Sequence, residues 1–261
     1  MVAFRKAVSR GTRFSQIYIP KSMHGLIEPG DEVEVRLVRK GARLHYSKGL
    51  QKLSEFKEEL IRGVFSFLEE SAHPVSIFVV GSFLREKTGY NDIDLVLLFG
   101  EKKPSEELVN ARLSEKFNLK FHLLFIDSGH FGRLLKMCPL TRAMFAGFVS
   151  SHKSDIPRET YVDRKHIRFL LMMPYDLLEI RLGSRAYFDS LRRLVTIERF
   201  LKKKPIEASE ISREIEGLMN MHLYNKIMNN EEIEQGSVNL LRKLIRERLG
   251  SIEELLNHGE E

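Results

Sequence analysis

Asp92 and Asp94 stand one residue apart at the opening of the apolar run Asp92 to Phe99, DIDLVLLF. A strand alternates its side chains with a period of two, so both carboxylates project from one face of that run. Like charges held side by side coexist when a cation neutralises them, and hard oxygen ligands in that geometry suit Mg²⁺. Upstream, Val75 to Val80 reads as a buried strand that stops at Gly81. Gly81 lets the backbone come close to a ligand, while Ser82 is placed to cap a following helix and to turn its hydroxyl and the helix N-terminus toward an anion. Phosphate on one side and metal on the other make a nucleoside triphosphate site. The plain alternative is a surface Asp-x-Asp beside an ordinary turn glycine; an acidic pair opening a buried strand without a local basic partner speaks against it.

The succession of apolar run, Gly81-Ser82, Arg85 and Asn91-Asp92-Ile93-Asp94 inside a second apolar run resembles the signature of the DNA polymerase β superfamily. It is most similar to the minimal nucleotidyltransferases, whose motif usually reads Gly-Ser, an Arg three residues on, and Ser-Asp-Ile-Asp-Leu. Here Asn91 replaces the serine and the loop is slightly shorter. The resemblance implies an α/β (α+β) core with a mixed sheet, catalytic and metal-holding roles for Asp92 and Asp94, and nucleotide contacts from Gly81, Ser82 and Arg85. It also implies Mg²⁺ or Mn²⁺ as cofactor and an NTP, ATP foremost, as substrate.

The family's third carboxylate normally lies on the next strand, after a helix. Pro104 to Phe117 reads as that helix and Lys120 to Ile126, KFHLLFI, as that strand, with His122 in the slot. Histidine suits zinc and other transition metals better than magnesium. His122 therefore stands either as an altered third-position residue or as a packed, hydrogen-bonded strand residue. Asp127 falls on the opposite face and reads as a cap for the next helix.

The elements that must position these residues occupy a chain of 261 residues, 43% apolar, enough for two or so domains with real cores. Cys138 is the single cysteine, which excludes a disulfide framework and a cysteine-based zinc site and fits a reducing compartment. No apolar run of about 18 residues exists and no signal-peptide core opens the chain, so a cytoplasmic protein without a membrane partner is expected. The net charge of +6 leans toward a polyanionic partner.

Three domains are expected: 1–45, 46–150 and 151–261. In the first, SRGTRFSQIYIPKSMHGLIEPGDEVEVRLVRK resembles the AbrB/SpoVT swapped-hairpin domain, through its basic Ser-Arg-Gly lead, the strand ending Ile17-Tyr18-Ile19-Pro20-Lys21, a short helix, and Glu28-Pro29-Gly30-Asp31 before an alternating strand with Val33, Val35 and Leu37 on one face. Roughly forty such residues bury little core alone. The resemblance implies a homodimer of interlocked chains, with Arg5, Lys6, Arg10, Arg13 and Lys21 either contacting DNA or standing as solvated charge.

In the second, Leu50, Leu53, Phe56, Leu60, Val64 and Leu68 recur at helical spacing from Ser47 onward, leaving Lys48, Lys52 and Lys57 on a solvated face. In the third, after a linker at Pro157 to Lys165, helices are expected near Tyr175 to Lys203, Ser209 to Asn229 and Ser237 to Leu249. A last turn is opened by the capping box Ser251-x-x-Glu254. Minimal nucleotidyltransferases often pair with helical HEPN domains, but their Arg separated by four to six residues from a His is not found in this helical region, where Arg213 and His222 are too far apart and Arg164 and His166 too close. The cluster Arg181, Arg185, Arg192 and Arg193 offers a helix face for a nucleic acid backbone or for solvent.

Two functions follow from these readings. One is a nucleotidyltransferase moving NMP from an NTP to a hydroxyl of RNA, protein or a small molecule. The other is a DNA-binding regulator or antitoxin-like protein whose nucleotidyltransferase fold turns over little.

Overall fold

The computed structural model describes residues 9–10, 12–13, 15–19, 21–23, 25–28, 30–34, 42–85 and 92–257. Arg5, Lys6 and Asn91, and the side chain of Arg10, lie outside the described residues. Contacts divide the chain into two compact units, Met1–Lys40 and Gly41–Glu261.

In the first unit, β1 (Ser9–Arg10) pairs antiparallel with β2 (Ser15–Gln16). The strand expected to run through Ile19 stops at Gln16, and the short helix is one 3₁₀ turn, Lys21–Met23. The Glu28-to-Asp31 turn is closed twice: Asp31 N–H donates to the Glu28 carbonyl at 3.1 Å, and Glu28 N–H to Asp31 Oδ2 at 2.8 Å. Gly30 takes φ 105°, which explains the glycine there. Val33 is exposed rather than facing a core, and Val35 and Leu37 lie outside the described residues. No residue described in this unit is buried.

The second unit is an α/β fold. Its elements run β3 (His45–Tyr46), α1 (Glu55–Ser71), β4 (Ser76–Val80), β5 (Ile93–Phe99), α2 (Glu106–Phe117), β6 (Phe121–Asp127), α3 (Ser128–Met137), α4 (Pro139–Met144) and β7 (Val149–Ser150). The mixed sheet has the order β3-β7-β4-β5-β6, with β5 and β6 parallel across the α2 crossover and the other pairs antiparallel. The apolar runs of β4 and β5 are continuous because both faces are covered. On one face Ile77, Val79, Leu95 and Leu97 meet Ile61, Phe65 and Leu68 of α1 and Val109 and Leu113 of α2. On the other, Phe78, Val80, Val96 and Leu98 meet Leu135, Phe145 and Phe148. Phe78 packs edge-on against Phe145 at 5.1 Å and Phe148 at 5.5 Å between centroids, which fixes α4 on the sheet.

Helix α1 starts later than periodicity suggests. Ser54 is its N-cap, accepting from Lys57 N–H, so Leu50 and Leu53 precede it, while Phe56 is exposed. Its buried stripe is Lys57, Ile61, Val64, Phe65 and Leu68.

The remainder is a bundle of α5 (Arg164–Glu179), α6 (Ser184–Leu201), α7 (Ala208–Leu218), α8 (Met221–Met228) and α9 (Gln235–Asn257), with α6 at the centre. The helix expected from Tyr175 to Lys203 is two, α5 ending at Glu179 and α6 starting at Ser184. Helix α5 begins within the expected linker because Asp163 Oδ1 caps it, accepting from His166 N–H at 3.0 Å, and its apolar stripe Ile167, Leu170, Leu171, Pro174 and Leu177 runs through the proline. The helix expected from Ser209 to Asn229 is two, because Asn220 Oδ1 accepts from Leu223 N–H at 2.8 Å and starts a new one. The capping box at Ser251 does not interrupt α9. Ile252 and Leu256 continue its buried stripe, and the Ser251 hydroxyl donates to Glu198 Oε1 at 3.1 Å. Among the described residues no helix is long and apolar enough to cross a membrane.

Candidate active site

Strand register brings the candidate residues together. Asp94 on β5 lies between Val80 on β4 and His122 on β6, so the end of β4 and the starts of β5 and β6 meet at one edge. Ile93 N–H donates to the Lys120 carbonyl at 3.0 Å and sets Asp92 one residue ahead of the strand. His122 Nδ1 lies 3.3 Å from Asp92 Oδ2 and 3.4 Å from Asp94 Oδ1. One ligand atom from each of the three falls within 4.8 Å of the others, the spacing of a metal site. Burial is the first cause that pushes the Asp94 carboxyl up; the negative charge of Asp92 adds to it, against His122 and Arg192, which pull it down. Such a pair is relieved by a cation.

Gly81 is the tightest element of the site. Its φ of 80° and ψ of −153° belong to a region that side chains rarely adopt, and a Cβ there would lie 2.2 Å from Asp94 Oδ2. The glycine therefore makes room for the carboxylate itself.

The helix expected after Gly81 is a single 3₁₀ turn, Ser82–Leu84, in which Ser82 is the first residue and not the cap. Phe83 and Leu84 are drawn into the core, and the chain leaves at Arg85, which is exposed. Among the described residues no longer helix follows Gly81, and the turn offers the Ser82 hydroxyl, its backbone and the Arg85 guanidinium.

Lys57, expected on a solvated face, is buried and holds that turn. Its Nζ donates to the carbonyls of Phe83 at 2.8 Å and Arg85 at 2.7 Å and lies 5.1 Å from the Phe83 ring centroid. The signal was present in the sequence, since Lys57 sits four residues before Ile61 on the buried stripe. Lys57→Met leaves both carbonyls without this donor, so a stability loss of about 1–3 kcal/mol in urea unfolding is expected.

Asp127 is apart from the group. It pairs with Phe99 at the far end of β6 and caps α3, accepting from His130 N–H at 3.1 Å. Two of the four arginines, Arg185 and Arg192, share a face of α6, and the other two stand apart from it. Arg181 precedes α6, Arg185 and Arg192 flank Asp189 at 3.8 and 3.7 Å, and Arg193 turns inward to donate to the Leu170 carbonyl at 3.2 Å. Of the four, Arg192 is the one whose charge acts on Asp94. In the first unit Arg13 and Lys21 are exposed.

Two carboxylate oxygens and one imidazole nitrogen can hold a divalent cation. The nitrogen favours Mn²⁺ or another transition metal over Mg²⁺. No protein-family model, curated protein or solved structure matches the chain.

Proposed function

We propose that the protein is a nucleotidyltransferase that moves NMP from an NTP, ATP foremost, to a hydroxyl acceptor. The observation that carries this reading is the convergence of Asp92, Asp94 and His122 beside a glycine that only an unsubstituted Cα can occupy. The residues fit a divalent metal, Mn²⁺ or Mg²⁺, which when bound supplies neutralising charge for the triphosphate. Ser82 and Arg85 engage the β and γ phosphates, and Arg192 adds positive charge at the carboxylates. The acceptor oxygen bonds to the α phosphorus as the bond to the bridging oxygen breaks; pyrophosphate leaves and the acceptor's proton passes to water at this open edge. Catalysis of this kind consists of positioning and charge neutralisation.

The chain acts in the cytoplasm as a homodimer joined through its N-terminal unit. Support for the dimer comes from Tyr18, Leu26 and Val33, which are 65%, 63% and 55% exposed in a unit without a described buried residue. A second reading, a DNA-binding regulator with a catalytically degenerate fold, is favoured by one observation. Among the described residues the third member of the group is a nitrogen ligand and not an oxygen.

The test is label transfer from α-labelled ATP, CTP, GTP and UTP onto RNA and host lysate with Mg²⁺ or Mn²⁺, beside the Asp92→Ala, Asp94→Ala double variant. Transfer that the variant loses is expected, with Mn²⁺ preferred, and His122→Asp should move the preference to Mg²⁺. Nucleotide binding by the wild type with no transfer on any acceptor would give the regulator reading.

A further inference from the structure

A concave surface lies elsewhere on the same unit. It is a cleft of about 1020 Å³ bounded by β3, the segment from Ala146 to Arg158 and the turn joining α6 to α7. That size is at the top of the range of about 300–1,000 Å³ for small-molecule pockets. Six cations line it, Lys48, Arg142, Lys153, Arg158, Lys203 and Lys204, against the carboxylates of Asp155 and Glu207. Among the described residues none of the six takes part in an ion pair, although Lys136 and Lys202 nearby in sequence both do. Arg142 is anchored, its Nη1 donating to the carbonyls of Leu135 at 3.2 Å and Pro157 at 2.8 Å. The four lysines are exposed and can follow a flexible chain.

We propose that this cleft holds the phosphate backbone of a single-stranded nucleic acid. Unpaired like charges gathered in a concavity repel one another and focus positive potential outward, and a row of phosphates relieves both. The six cations come from four chain segments, the stretch after β3, α4, residues 153–158 and the turn after α6, and outnumber the few that one nucleotide would use. The cleft is also connected to the carboxylate group through α6. Arg192 acts on Asp94, and Leu201 ends the helix just before Lys203 and Lys204, about 14 Å farther along at 1.5 Å per residue. Helix α6 thus runs from Arg192 to the turn that carries Lys203 and Lys204 at the cleft. The assignment of nucleic acid as the hydroxyl acceptor rests on the transfer reading above; the binding itself does not.

The test is fluorescence anisotropy of the full chain with a labelled single-stranded RNA 12-mer, wild type against Lys48→Gln, Lys153→Gln, Lys204→Gln, with inorganic polyphosphate as competitor. These three side chains are exposed, so the variant should melt as the wild type does. Weaker binding by the variant is expected, with a log-affinity against log-salt slope shallower by about 2, since each single-strand phosphate contact contributes roughly 0.7. Unchanged affinity and slope would overturn the cleft, and polyphosphate matching RNA in affinity would overturn the nucleic-acid assignment. If the variant loses RNA while the wild type transfers no label from any NTP, the cleft stands and nucleotidyl transfer fails. If label reaches RNA at an unchanged rate in the variant, transfer stands and the cleft fails.

Discussion

Gly81→Ala should cost the proposed nucleotidyl transfer about a hundredfold, the penalty for moving a catalytic group by roughly 1 Å. Two independent effects act at this position. The new Cβ would lie 2.2 Å from Asp94 Oδ2, and the Asp94 Cγ and Cβ at 3.2 and 3.5 Å limit how far the carboxylate can swing away. The carboxylate must rotate out of its place 3.4 Å from His122 Nδ1, and the three-ligand group opens. Separately, φ of 80° with ψ of −153° is strained for any residue with a side chain and should cost about 1–3 kcal/mol. Titration with Mn²⁺ should therefore show weakened binding together with the lost turnover, while urea unfolding shows the modest stability loss. Full activity in a folded Gly81→Ala protein would show that Asp94 does not work from the position it occupies here.

The largest effect on stability is expected at the centre of the bundle. Glu198 on α6 is 4% exposed, and its carboxylate accepts from Arg248 Nη1, from Lys202 Nζ and from Ser251 Oγ at 3.1 Å. Arg248 also meets Glu214 at 3.1 Å, and Glu214 meets Arg199 at 2.8 Å, so one charged network joins α6, α7 and α9. Removing one partner of a buried pair leaves the others desolvated without compensation, at about 3–5 kcal/mol. Glu198→Ala should fall at the low end, about 3 kcal/mol, because the Lys202 side chain is 37% exposed and solvent screens it.

The pH dependence has a fixed sign. Burial by itself would raise the Glu198 carboxyl; the donors Lys202, Arg248 and Ser251 outweigh it and hold the group below the usual glutamate range. A depressed carboxyl contributes stability above the unfolded value of about 4.3 and loses it as pH falls through the folded value. Urea midpoints followed from pH 6 downward should thus drop on the acid side in the wild type and drop less in Glu198→Gln. Parallel curves for the two proteins would mean that Glu198 is not held in this way.

Chain order and side-chain type carried a good part of this architecture. The period-two spacing of Asp92 and Asp94 put them on one face, and the strand-helix-strand succession from Asp92 to Ile126 gave the parallel pair in which His122 is the neighbour of Asp94. Gly81 was marked as a close-approach position, though the group it approaches is Asp94, a fact that depends on the β4–β5 register. These features are local, or repeat at a fixed period, and so are written along the chain.

Other features depend on groups far apart in sequence. Lys57 became a buried clamp because the turn after β4 folds over α1 and presents two carbonyls to it. Ser251 was read as a helix start because capping boxes are local signals, but Glu198, a residue of another helix, claims its hydroxyl. The basic cleft joins Lys48, Lys153 and Lys204, which no linear window contains. The sequence by itself determined the strand-helix-strand order from Asp92 to Ile126 and the face that Asp92 and Asp94 share, because backbone periodicity acts within a few residues, whereas the ends of several helices were decided by caps and partners that periodicity does not show. Tertiary structure alone decided which charges are paired, buried or gathered unpaired in a cleft, because electrostatic energy depends on distance through space and on access to water.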